Sequence, residues 1–122
     1  MPNYNAQNPP YAMFPGDVVF AFNSESPAAG QASQQFSLPV YSGQADQGRT
    51  VRWQTLYGSA PTAIAIALQV SLQDVDAQYQ TVDTSTNTAG ESRSVSGINA
   101  PFIRAKVTAI TGGSGVTVQI TA

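Results

Sequence analysis

The sequence predicts an all-β protein: an antiparallel β-sandwich, jelly-roll-like, of about seven to eight strands, with an extended N-terminal arm. Three observations carry that expectation. Ile64, Ile66, Leu68, Val70 and Leu72 occupy every second position of residues 62–73. A strand puts all five on one face, whereas a helix would scatter them around its circumference. Other short runs with the same period follow, separated by turn signals at sandwich-like spacing. Finally, Thr111-Gly112-Gly113-Ser114-Gly115 is a hairpin turn stocked with residues that accept positive φ.

The organisation is one arm, residues 1–17, and one sandwich domain, residues 18–122. The arm holds Pro2, Pro9, Pro10 and Pro15 and shows no periodicity. Proline fixes φ and lacks a backbone donor, so this segment reads as extended chain. It also carries Tyr4, Tyr11, Met13 and Phe14. A solvated linker has no use for four large apolar side chains. They pack either on this chain's own sheet or on a neighbouring subunit or partner, and the second alternative makes them candidate partner-binding residues.

The first strand begins at Val18, where Val18, Phe20 and Phe22 alternate with Val19 and Ala21. A Ser/Ala/Gly-rich loop follows over residues 23–34. Phe36, Leu38 and Val40 then face one way, with Pro39 marking an edge strand or bulge. Residues 42–48 read as a turn. Val51, Trp53, Thr55 and Tyr57 share the face of the next strand, opposite Arg52 and Gln54. On the strand over 62–73 the opposite face is Ala63, Ala65, Ala67, Gln69 and Ser71, small enough for something to pack close. Asp74-Val75-Asp76 turns the chain into a strand over 77–83 bearing Tyr79 and Thr81. Residues 84–97 read as a long polar loop with a short strand near Val95. Residues 101–110 form a strand with Ile103, Ala105, Val107 and Ala109 on one face, Arg104 and Lys106 on the other. Val116, Val118 and Ile120 close the core. The expected core is Ile64, Ile66, Leu68, Val70, Leu72, Ile103, Val107, Val116, Val118 and Ile120.

Composition narrows the function. Ser, Thr, Gln and Asn together make up 41 of the 122 residues, while charged residues reach only 10% against the usual ~25%. Without His or Cys there is no Ser–His–Asp triad, Cys nucleophile, thiolate or imidazole metal site, or disulfide. No pair of carboxylates is set across a sugar-sized cleft by sequence, and neither a strong general base nor an activated nucleophile is visible. The expectation is a chain that is not an enzyme and takes no cofactor and no metal. Asp74, Asp76 and Gln78 imitate the start of a calcium loop, but Tyr79 stands where the sharp turn needs Gly, and no Glu holds the twelfth position.

The net charge is −2, and residues 1–48 contain no Lys or Arg. Nucleic-acid binding requires a basic stripe, so no nucleic-acid partner is expected. The N-terminus has no positive n-region followed by an apolar run, and no stretch is long enough to span a bilayer, so no membrane partner is expected and synthesis in the cytoplasm is. Trp53, Tyr57 and Tyr79 offer one open binding possibility, a platform for a sugar ring. Because Trp53 shares its face with Val51, Tyr57 and Tyr79 are left as the candidate glycan-binding residues.

Over residues 50–120 the sequence resembles small β-sandwich structural proteins of tailed bacteriophages, the capsid decoration (cement) and tail accessory proteins. The resemblance rests on an alternating strand ending in Ser71-Leu72-Gln73-Asp74, a Thr/Ser-rich loop, the strand Pro101-Phe102-Ile103-Arg104-Ala105-Lys106-Val107, and the hairpin Thr111-Gly112-Gly113. Val75 departs from the pattern, since a Gly is usual at that turn. The resemblance implies a structural virion protein without catalysis, binding the major capsid protein or other virion proteins, as a dimer or trimer on the particle. The alternative is a glycan-binding or adhesion module on a virion tail or baseplate.

Overall fold

The computed structural model describes residues 11–14, 16–38 and 49–122. Nine strands form among them: β1 Tyr11–Ala12, β2 Val18–Glu25, β3 Phe36–Ser37, β4 Arg49–Leu56, β5 Ala63–Ser71, β6 Gln80–Ser85, β7 Glu91–Ile98, β8 Phe102–Thr111 and β9 Val116–Thr121. The one helical element among the described residues is a 3-10 turn, Asp76–Gln78, in the connection before β6. One sheet has the order β1-β3-β8-β5-β6 and the other β2-β9-β4-β7.

The pairing pattern identifies the architecture. β5 pairs with β6, β4 with β7, β3 with β8 and β2 with β9, all antiparallel. These are the rungs of one long folded hairpin whose turn lies between β5 and β6. Rolling that ribbon distributes successive rungs to alternate sheets and gives a jelly roll. The all-β jelly-roll expectation therefore holds, with β1 added in parallel beside β3.

The core lies between the sheets and follows the period-2 pattern. Ile64, Ile66 and Leu68 of β5 meet Ile103, Ala105 and Val107 of β8 on the inner face of one sheet. Val51, Trp53, Val116, Val118 and Ile120 fill the inner face of the other. Trp53 is a core residue, as its position beside Val51 implies.

The strand expected over 77–83 starts only at Gln80, after the 3-10 turn, so Tyr79 precedes it, and five further expectations change. Leu72 is not in the core but 75% exposed, because β5 ends at Ser71 and the chain turns there. The Ser71 hydroxyl donates to the Gln73 carbonyl and accepts from the Gln73 N–H, which pins this turn. Val70 is only half-buried, packed against the edge of the core. Phe22 does not share a face with Val18 and Phe20. A register shift against β9 between Phe20 and Phe22 turns Phe22 inward and leaves the other two outside. Residues 84–97 are not a long loop: β6 runs to Ser85 and β7 occupies Glu91–Ile98, joined by a tight turn. Only Val95 and Ile98 of β7 are apolar, and they stand three residues apart, so the strand carries no hydrophobic period to read. The fifth change is in the arm: Met13 is fully buried in this chain's own core, and Tyr11–Ala12 pairs with Phe36–Ser37. The β1 backbone and the Met13 side chain thus pack back on their own sheet, while Phe14 stays exposed. Tyr4, Pro39, Val40 and the turn over 42–48 lie outside the described residues.

Candidate functional site

The two open edges of a sandwich are where its interior meets solvent, and here the β6 and β7 edges are tied along part of their length. Asp83 on β6 accepts from Trp53 Nε1 of the opposite sheet at 2.9 Å. Arg93 on β7 forks onto the same carboxylate at 2.9 and 3.0 Å and reaches Glu91 at 3.2 Å. Ser85 on β6 donates to Glu91 at 2.6 Å. Burial works against the charge on Asp83. The bonds from Arg93, Trp53 and the Thr84 N–H, with the nearby Arg93 charge, outweigh it and hold the carboxyl below its usual range. The same pairing raises the Arg93 pKa further.

Beyond this tie the edges diverge and leave a cleft of about 630 Å³ at one loop end of the sandwich. Val70, Leu72, Val82, Ile98 and Ala100 supply its apolar surface, and Gln80 and other amides its rim. No lining residue is ionisable, so the cleft presents an uncharged surface of aliphatic, hydroxyl and amide groups.

The loop beside the cleft is latched from beneath. Arg104 lies on the outer face of its strand, as the alternation predicts, yet it is 1% exposed. Its Nε donates to Gln69 Oε1 at 2.9 Å and its Nη1 to Asp76 Oδ1 at 2.7 Å. The Tyr79 ring covers the guanidinium, with its centroid 4.1 Å from Cζ. Tyr79 in turn donates to Asp74 Oδ1 at 2.9 Å, and Gln35 donates to Asp74 Oδ2 at 3.1 Å. The two carboxylates that imitate a calcium loop are thus engaged by Arg104, Tyr79 and Gln35. This latch folds the connection between β5 and β6 over the small-residue face at Gln69 and Ser71.

The candidate glycan residues do not make a platform. Tyr79 is 8% exposed with its face taken by Arg104. Tyr57 is half-buried against the core, and burial raises its hydroxyl pKa, partly offset by the neighbouring Thr55 side chain and reinforced by the Glu91 charge. Of the arm residues, Met13 is buried, Phe14 is exposed and Tyr11 is held through its backbone in β1. Nothing in the sequence marks Arg104 as buried, because strand alternation alone places it on a solvent face.

A second surface is the outer face of the β2-β9-β4-β7 sheet. Two cross-strand rows line it, Val18–Thr121–Arg52–Ser94 and Phe20–Gln119–Gln54–Ser92, with Leu56 and Thr117 beyond them. Val18 is 57% and Phe20 47% exposed. Arg52 is the one charge in these rows; its Nη1 donates to Ser92 Oγ at 3.1 Å.

No family model and no curated protein matches the chain. Among solved structures, the crystal structure of the SPBc2 prophage-derived protein YomS is similar, with a TM-score of 0.52 and 15% identity. The match covers 85% of this chain and 90% of that one. At this identity the likeness is one of fold. Among the described residues no helix is long and apolar enough to cross a membrane.

Proposed function

We propose that this chain is a structural virion protein of a tailed phage, a capsid decoration protein that binds and stabilises the capsid lattice. Its partner is the major capsid protein. The observation that carries the reading is the jelly roll held in common with a prophage-derived protein over most of both chains. The surfaces support it. The loop-end cleft offers aliphatic and amide groups with nothing to titrate, which suits docking on protein. Weak contacts of this kind become effective on a lattice, where neighbouring sites are held at high local concentration. The N-terminal residues preceding β1 add a second contact in the same reading.

The test is to purify phage particles produced from a genome carrying this gene and separate intact capsids from tails by density gradient. The chain is expected with the capsids, at a stoichiometry set by the lattice. Recovery only with tails would replace the capsid by the tail as its location, and recovery only in the unsedimented fraction would overturn the virion reading.

A further inference from the structure

We infer that the outer face of the β2-β9-β4-β7 sheet is a two-fold interface between two copies of this chain. This goes beyond the virion reading and stands without it. The face is nearly neutral, and it leaves three large apolar side chains, Val18, Phe20 and Leu56, in water. Soluble surfaces normally intersperse charges of both signs over such an area. Here no carboxylate among the described residues forms an ion pair with Arg52.

The order of the strands says what covers the face. β9 lies between β2, which carries Val18 and Phe20, and β4, which carries Arg52 and Gln54 in the same two rows and Leu56 beyond them. A two-fold axis running along β9, in the plane between two such faces, lays β9 on β9 and β2 on the partner subunit's β4. That rotation preserves height along the strands. Val18 and Arg52 share one row, and Phe20 and Gln54 the other, so each apolar residue of one copy meets the polar residue of its own row in the second. The Arg52 stem then packs on the second copy's Val18. Its guanidinium reaches the Asp17 carboxylate next in sequence to that Val18, an exposed group whose described contact is the Phe14 N–H at 3.0 Å. The missing counter-charge of Arg52 is thus supplied twice by symmetry, as an isologous contact requires. Two sheets packed this way lie about 10 Å apart, with strands within about 30° of one another.

The test is sedimentation velocity on the full chain over a concentration series. A dimer is expected. Phe20→Arg should weaken it at least about 30-fold, the loss typical of a central contact residue. Arg52→Asp and Asp17→Arg should each weaken it, and the double variant should restore it. Circular dichroism and melting of each variant confirm that the sandwich is retained. Because the chain has no Cys, Gln119→Cys, next to the axis, should cross-link to its own copy through a short bismaleimide. Ser59→Cys, in the connection between β4 and β5, should not. A monomer at every concentration, a trimer, or a dimer indifferent to Phe20→Arg and to the charge exchange would overturn the inference. A dimer that fails to associate with particles refutes the capsid reading alone.

Discussion

The Tyr79 ring lies over the Arg104 guanidinium at 4.1 Å, and this stack joins the loop after β5 to the outer face of β8. The arginine is almost fully buried, whereas its ionic partner Asp76 keeps 58% of its side-chain surface in water. The two ends of that ion pair therefore differ in worth. Arg104→Met keeps the aliphatic stem but leaves Gln69 Oε1 and the Tyr79 ring without a partner, and should cost about 1–3 kcal/mol. Asp76→Asn should cost under about 1 kcal/mol, since its carboxylate is mostly solvated. Urea denaturation of the two variants side by side measures both, and equal costs would mean that the exposed pair rather than the buried bonds and stack holds the latch.

Acid should loosen the β6–β7 edge. The Asp83 carboxyl titrates below its unfolded value, which is about 3.9. Its contribution to stability is therefore complete above that value and is lost as pH falls through it toward the lower folded-state value. Asp83→Asn should flatten the acid limb of a plot of urea midpoint against pH between about 2 and 7. It should also lower stability at neutral pH, because the amide keeps only one acceptor oxygen and no charge for the Trp53 indole N–H and the Arg93 fork to share. An unchanged acid limb would show that other carboxyls govern acid unfolding.

Leu68 and Leu72 share one alternating run but not one environment. Leu68→Asp places an unpaired charge in the core and should abolish folding. Leu72→Asp, on an exposed loop, should change stability by no more than about 0.5 kcal/mol. Because Leu72 lines the loop-end cleft, the same change should reduce particle association. Thermal melting and co-sedimentation read the two effects separately.

Gly90 makes the turn between β6 and β7 with φ of +86°, and a Cβ there would sit 2.5 Å from the Thr55 carbonyl oxygen. Gly16 has a similar φ of +85° with open space around it. Gly16→Ala should therefore cost only the left-handed backbone penalty, about 1–2 kcal/mol. Gly90→Ala should cost distinctly more, because backbone must also move. Equal melting shifts would show that β7 yields at this turn.

The strands and their inner faces were legible because alternation is local: a residue's side of a strand depends only on its neighbours in sequence. That is why β5, β8 and β9 emerged with their core residues, and why Trp53 was assigned to the interior beside Val51. Where the period was missing, the reading failed. β7 has only Val95 and Ile98 as apolar residues, so all but the part near Val95 reads as loop, and the bulge that turns Phe22 inward depends on β2 having β9 as its partner.

The candidate site was less legible, because burial of an outward side chain is a property of whatever crosses above it. Arg104 occupies a solvent position by alternation, and only the folding back of residues 72–79 encloses it. Tyr79, a candidate sugar platform by sequence, became the cover of that arginine. Met13, in a proline-rich stretch without period, entered the core because β1 docks beside β3. By itself the sequence determined the all-β class, the strands with a clear period and the neutral chemistry of the surface, since these are set by residue type and short-range spacing. The tertiary structure alone decided the pairing that rolls the ribbon into two sheets, the enclosure of Arg104 and Met13, and the cleft where β6 and β7 diverge. Each of those depends on contacts between segments tens of residues apart, and no local pattern encodes which segments will meet.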